Sequence, residues 1–307
     1  MKKQKHASYR IKEAREDRIT NIVIYALVLI VMCITLYPMV YVFSMSFSDP
    51  MAAARGEVVL LPKGFNLTAY KTVFSDKIIF SYFGNTIFYT FTGILFGVIT
   101  TMLAAYPLSR RNFSRRKYVT WFITLTMFLY AGLIPNYIVV VKFLKLYDTR
   151  MAMVLPTLTS AWYVLVTKNY ITSLPEELFD SAKVDGASEF GIFGRIVMPL
   201  SKPIIAVLSV YLGIGYWNTY FPSLLYQSKD ELRPVSMYVR KLVVENSIDT
   251  LLKSAKAGAI LTDATALLSR MQIKYAVIVV AMLPLMLLYP FFSKYLKKGM
   301  MVGSIKG

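Results

Sequence analysis

The chain has 307 residues, of which 56% are hydrophobic and 17% charged, with a formal net charge of +18; an ordinary soluble domain carries roughly 25% charged residues. The apolar residues gather in long charge-free runs, which excludes a soluble globule, and the runs lack the alternation of barrel strands. The positive balance raises nucleic-acid binding, but the charges flank the runs without any aromatic-basic stacking motif.

Residues 1–18 read as a basic N-terminal tail, with Lys2, Lys3, Lys5, Arg10, Lys12, Arg15 and Arg18. The sole histidine, His6, lies in this tail, and the sole cysteine, Cys33, lies in the first apolar run. No intrachain disulfide is therefore possible, and neither a histidine metal site nor a Ser/His or Cys/His pair can be assembled in the membrane region. Six stretches lack any charge: Ile19 to Phe47, Ile78 to Ser109, Tyr118 to Val141, Met151 to Thr167, Pro203 to Ser228 and Tyr275 to Ser293. Each approaches the ~20 residues that span a bilayer as a helix. In the short fourth run Lys168 can snorkel while the apolar pattern resumes through Tyr170 and Ile171. The first run resembles a signal peptide, with Ala52-Ala53-Ala54 behind it, but it is nearly twice the upper length of such a core, about 15 residues. It reads as a retained anchor.

Arginine and lysine near the span ends set orientation. Arg110, Arg111, Arg115, Arg116 and Lys117 crowd the loop between runs two and three, and Lys294, Lys297, Lys298 and Lys306 follow run six. Both termini and that loop are expected in the cytoplasm of a multi-pass cell-membrane protein. The expected organisation is a cytoplasmic tail over 1–18, a first transmembrane helix and outer loop over 19–77, a core transmembrane domain over 78–296, and a cytoplasmic tail over 297–307. An outer loop covers 229–274, where Leu242, Val243, Leu251, Leu252 and Ala264 to Leu268 suggest short surface helices or a solvated loop with apolar anchors.

The loop 174–203 has a different character. Pro175, Glu176 and Glu177 open a helix, with acids at its positive end. Leu178, Phe179 and Ala182 mark its apolar face. Asp185-Gly186 ends it, since glycine accepts the left-handed conformation of a C-terminal cap. Ser188 caps a second helix on which Phe190, Phe193 and Val197 recur until Pro199. The element is either a rigid knob or a connector lying on the bilayer.

Here the chain resembles the transmembrane subunits of ABC importers, whose signature is roughly E-A-A, three residues, Gly, nine residues, then I-x-L-P. The matching residues are Asp180-Ser181-Ala182, Gly186, Ile196 and Met198-Pro199, with Asp185-Gly186-Ala187 at the centre. Asp180 and Ser181 depart from the pattern, so an ion pair made by the family glutamate would come from a carboxylate one methylene shorter. Tyr130 to Thr149, Gly215 to Tyr226 and the C-terminal KKGMMVGSIKG are similar to the carbohydrate-uptake, MalG-like branch, nearest its oligosaccharide and polysaccharide-fragment permeases.

The resemblance implies an all-α type I ABC importer fold of about six transmembrane helices. It also implies a second permease chain, two cytoplasmic ATPase subunits and an extracytoplasmic solute-binding protein that delivers a carbohydrate. This chain has no Gly-x4-Gly-Lys-[Ser/Thr] phosphate loop, so ATP and Mg are expected on the partner ATPases and no catalysis here. The implied ATPase-coupling residues are Glu176, Glu177, Asp180, Ala182, Asp185, Gly186, Ala187 and Phe190. For a sugar pathway the aromatic and neutral polar candidates are Tyr130, Asn136, Tyr137, Tyr216, Trp217, Asn218 and Tyr220, against the alternative of interfacial aromatics and helix packing.

An ion-coupled secondary transporter would keep ionisable groups inside the runs, which have none. A membrane enzyme acting on lipid-linked sugars would want carboxylates or metal ligands near a membrane surface; Asp49, Glu57 and Asp76 lie in an expected outer loop, but their spacing fits no catalytic motif. A scaffold without a pathway is the third reading.

Overall fold

The structure, a computed structural model, describes residues 15–129, 131–244, 272–288 and 290. Among the described residues every regular element is helical. Contacts divide the chain into two compact units, Met1–Ala69 with Leu261–Val279 and Tyr70–Ile260 with Val280–Gly307.

In the first unit, α1 (Arg15–Phe47) is a single helix with Pro38 inside it. It is apolar all round and exposed from Ile22 to Val40, as a helix surrounded by hydrocarbon is, and it becomes buried only at Ser44, Met45 and Ser46 near its end. Asp49 caps α2 (Pro50–Ala54) through Met51 N and Ala52 N. The segment that follows is pinned to the end of α1 by serine hydroxyls: Ser44 Oγ donates to Leu60 O at 2.6 Å, and Ser48 Oγ accepts from Lys63 N at 3.1 Å. Gln272 Nε2 donates to Ser48 O, and Phe47 stacks on Phe65.

After α3 (Thr68–Ser75), the second unit is organised around α4 (Lys77–Ser109), which Asp76 caps at Ile78 N. Asp49 and Asp76 are thus both helix caps, and Glu57 lies 3.8 Å from Lys63. α4 is flanked by α5 (Arg116–Phe128), α8 (Ala161–Thr172) and α12 (Lys202–Trp217). Its close approach to α12 has a local cause. Gly93 and Gly97 stand four residues apart on one face, and a Cβ on Gly93 would meet the Tyr216 ring at 2.2 Å. A Cβ on Gly97 would meet Leu158 O and Leu212 Cδ1, each at 2.9 Å. Small residues at this spacing let membrane helices approach to backbone distance.

The six apolar runs all carry helix, but among the described residues only α1 and α4 are single helices long enough to cross a membrane. The third run is broken between α5 and α6 (Leu133–Ile138), where Gly132 adopts φ +89°, and it continues as a π turn, Val139–Phe143. The fourth divides into α7 (Met151–Val154), a 3-10 turn containing Pro156, and α8, which runs on through Lys168 to Thr172. The loop that follows holds α9 (Glu177–Val184), α10 (Glu189–Ile192), a π turn over Phe193–Val197 and α11 (Met198–Leu200). The segment Glu189–Leu200 then meets α12 at 77°. The fifth run ends α12 at Trp217 and resumes as α13 (Phe221–Tyr226). A helix over 235–244, α14, follows, and α15 (Gln272–Leu288) is the last described. Leu242 and Val243 fall on α14. Leu251, Leu252 and Ala264 to Leu268, like residues 1–14, lie outside the described residues.

Candidate functional site

The α9–α11 loop is built on one tight turn. Ala187 N donates to Ala182 O at 2.9 Å and Gly186 N to Lys183 O at 3.0 Å, the paired bonds of a Schellman cap, with Asp185 as the cap residue. Gly186 takes φ +76°, as such a cap requires. Two residues on, Ser188 Oγ accepts from Gly191 N and starts α10. Glu176 is the residue before α9 and Glu177 its first.

The packing face of this loop differs in part from the sequence expectation. Phe179 and Ala182 are buried, but Leu178 is exposed. On the second segment Val197 is buried and Phe193 packs on Tyr106, whereas Phe190 is 82% exposed. A π turn holds one residue more than an α turn, so the turn over Phe193–Val197 rotates Phe190 out of line with the positions after it. Val184, at the end of α9, is 88% exposed. Asp180, Asp185, Gly186 and Ala187 are exposed alongside. The loop therefore presents apolar and acidic groups on a stiff turn, with Phe179, Ala182 and Val197 as its internal attachments.

Polar ties that spacing alone did not reveal hold it to α4 and to the basic loop. Tyr106 OH donates to Glu189 Oε2 at 2.5 Å, and Lys183 Nζ lies 3.0 Å from Glu189 Oε1. Tyr106 foremost, with Lys183, holds the Glu189 carboxyl below the usual carboxylate range. Arg111 pairs with Glu176 at 3.2 Å, and the Arg110 guanidinium lies 3.8 Å from the Phe179 ring centre. The basic loop and the α9–α11 loop thus share one end of the second unit. An opening of about 410 Å³ lies between them, bordered by Tyr106, Arg110, Lys183, Glu189 and Phe190.

At the other end of α4 a buried polar network forms. Asn85 Nδ2 donates to Glu231 O at 2.6 Å and Arg233 O at 3.2 Å. Thr86 Oγ1 accepts from Val235 N at 2.8 Å. Tyr89 OH donates to Leu232 O at 2.6 Å and accepts from Gln227 Nε2 at 2.9 Å, and Ser223 Oγ reaches Gln227 Oε1 at 2.7 Å. Asp148, one of two non-glycine residues with positive φ among the described residues, accepts from Ser228 N at 2.6 Å, from Lys229 N and from the Ser228 hydroxyl. The Ser228 hydroxyl foremost holds its carboxyl below the ordinary range.

The candidate pathway residues divide. Tyr130 lies outside the described residues. Tyr137 stacks on Tyr226 with centroids 6.0 Å apart. Tyr216 is buried, its hydroxyl donating to Val154 O at 3.1 Å, and Trp217 is buried with Nε1 donating to Ala281 O at 3.1 Å. Asn136, Asn218 and Tyr220 are exposed, although Asn218 Nδ2 also donates to Ile214 O. Trp217 also borders an apolar cavity of about 530 Å³ between α4, α12 and α15.

Residues 93–302 match the family described as binding-protein-dependent transport system inner membrane component. Protein LplC of Bacillus subtilis is 37% identical over 274 residues, covering 89% of this chain and 90% of its own. The polygalacturonan/rhamnogalacturonan transport system permease protein YtcP of the same organism is 34% identical over 293 residues, covering 95% and 100%. A chain from the crystal structure of a bacterial ABC transporter involved in the import of the acidic polysaccharide alginate superposes with a TM-score of 0.82. It is 30% identical over 93% of this chain and 99% of that one.

Proposed function

The chain belongs to the binding-protein-dependent transport system inner membrane components, an all-α permease family, and from that premise we propose that it couples ATP hydrolysis on partner subunits to import of an oligosaccharide or polysaccharide fragment. The observation that carries the reading is the α9–α11 loop. Val184 and Phe190 are large apolar side chains left almost wholly exposed on a capped, ion-paired turn beyond the apolar spans. A protein surface that is rigid, apolar and rimmed by acids fits a partner's cleft better than it fits water.

In this reading Glu176, Glu177, Asp180, Asp185, Gly186, Ala187 and Phe190 face the ATPase, and Ala182 anchors the knob from within. ATP and Mg belong to the ATPase. Both chain termini lie on the ATPase side, and a second permease chain and an extracytoplasmic binding protein complete the assembly. ATP and the loaded binding protein drive transport by favouring different arrangements of the spans. For the pathway, Asn136, Asn218 and Tyr220 offer exposed hydrogen-bonding groups and an aromatic face to a sugar, and Tyr137 stacks on Tyr226. Tyr216 and Trp217 hold the wall from which Asn218 projects.

The test is crosslinking from cysteine at position 187 in a Cys33→Ser background, with ATP-dependent sugar uptake measured in proteoliposomes. A crosslink to a copurifying ATPase that changes with nucleotide is expected. Intact assembly with no crosslink in any nucleotide state overturns the docking. Trp217→Ala and Asn218→Ala should lower uptake while ATPase activity persists, and wild-type uptake in both would remove them from the pathway.

A further inference from the structure

At the end of the second unit that carries the α9–α11 loop, a separate opening of about 610 Å³ lies where α4, α5 and α8 meet. Its charged lining is wholly cationic: Arg116 and Lys117 from the first turn of α5, and Lys168 from α8, with Thr120 and Asn169 between them. No aspartate or glutamate borders it. Lys168 is half-buried, and its Nζ donates to Thr120 Oγ1 at 3.4 Å, a long contact to a neutral group. Among the described residues no carboxylate pairs with Arg116, Lys117 or Lys168, although four other cations of the second unit, Arg111, Lys183, Arg233 and Lys241, do find partners. A cation drawn into the edge of an apolar region without a counter-ion is costly, and an anion entering the opening removes that cost.

The surroundings identify the anion. No residue of α5 is buried, so this helix lies at the periphery of the unit. Directly after its basic first turn, Tyr118, Trp121 and Phe122 are 77%, 66% and 64% exposed. Cations, then indole and phenol, then apolar side chains is the order in which a helix meets phosphate, interface and hydrocarbon. Basic pockets between spans on the cytoplasmic side hold anionic lipid headgroups.

We propose that the opening between α4, α5 and α8 binds the headgroup phosphate of an anionic phospholipid, with Lys168 as the inner contact and Arg116 and Lys117 as the outer ones. The acyl chains lie along the exposed Trp121 and Phe122 face. Which leaflet supplies the lipid rests on the orientation in the importer reading, whereas binding itself does not. The same opening adjoins the loop that meets the ATPase in that reading, so lipid composition would reach the spans closest to it.

The full chain is purified from bilayers of phosphatidylcholine with or without phosphatidylglycerol, and retained lipid is read by native mass spectrometry without nucleotide or ATPase. Preferential retention of phosphatidylglycerol is expected, weakened about fivefold for each charge removed in Lys168→Gln and Arg116→Gln. Lys168→Arg should keep it. Equal retention of the two lipids by the wild-type chain, or unchanged retention in the double variant, overturns the site. In a second measurement needing no variant, phosphatidylglycerol bilayers should shield Lys168 from an amine-reactive reagent. Equal shielding by inorganic phosphate in phosphatidylcholine bilayers would overturn the lipid assignment in favour of a free anion. Because no ATPase is present, a failed lipid site and a failed ATPase docking give separate results.

Discussion

The two ends of α4 solve opposite problems. At its first end, Asn85, Thr86 and Tyr89 are buried, and each satisfies main-chain groups of a segment some 140 positions away. At the other end the knob buries Phe179, Ile192 and Val197 against α4, is tied by Tyr106 and Arg111, and still shows Phe190 and Val184 to its surroundings. A buried, fully paired network resists change because breaking one bond strands its partners. The knob is anchored through its buried side chains, whereas exposed Phe190 and Val184 add little to the stability of the isolated chain. One end of the helix thus closes on its own chain, and the other carries exposed apolar side chains.

This contrast can be broken most sharply at Asn85. Asn85→Leu leaves the Glu231 and Arg233 carbonyls without their donor and should cost about 3 kcal/mol, read as a lowered melting temperature of the purified chain. An unchanged melting temperature would mean the Asn85 network carries no weight. Gly93→Ala pushes the Tyr216 ring away and should cost about 2 kcal/mol in the same measurement.

At the knob, Glu189→Gln should cost only about 0.5 kcal/mol near neutral pH, since the Lys183 pair is partly exposed. Its pH dependence has a definite sign. The folded carboxyl is depressed, so its stabilisation is present above the ordinary glutamate pKa and is lost as pH falls through the depressed value. Wild type should therefore lose stability in acid over that window more than Glu189→Gln does, and parallel pH curves would remove Glu189 from the tie. Smallest of all in stability, Phe190→Ser should move the melting temperature within the scatter of surface substitutions, about 0.5 kcal/mol, yet lower the yield of copurified ATPase. Full ATPase retention would sink the role given to Phe190.

Legibility in the sequence follows the same division. The knob is written in short-range spacing: Glu177, Asp185-Gly186 and Ser188 each act on neighbours within one or two turns, so caps and turn could be placed by residue. Phe190 falls in one spacing series with Phe193 and Val197, yet only the latter two pack inward, because a π turn leaves no mark in an apolar pattern that counts by 3.6. The Asn85 network was not legible, since Asn85, Thr86 and Tyr89 meet residues 231–235 only across some 140 positions of chain. Gly93 and Gly97 stood in plain view at four-residue spacing, but nothing local says that Tyr216 rests on the first of them. The breaks at Gly132 and at Ser160 were hidden for a related reason. Absence of charge shows where hydrocarbon lies and is silent about how many helices share it.

The 77° corner at Ser201 gives the knob a mechanical meaning. Two arms meeting near a right angle form a crank: displacement along the first appears mainly as sideways swing of the second, with little thrust along its axis. The first arm is Glu189–Leu200, gripped at Glu189 by Tyr106 and Lys183, and the second is α12. At the far end of α12 the Tyr216 ring bears on Gly93, a fulcrum with no side chain to wear against it. A push received at the loop would therefore emerge as tilt of α12 across α4, and Trp217 and Asn218, one and two residues beyond the fulcrum, would travel with it.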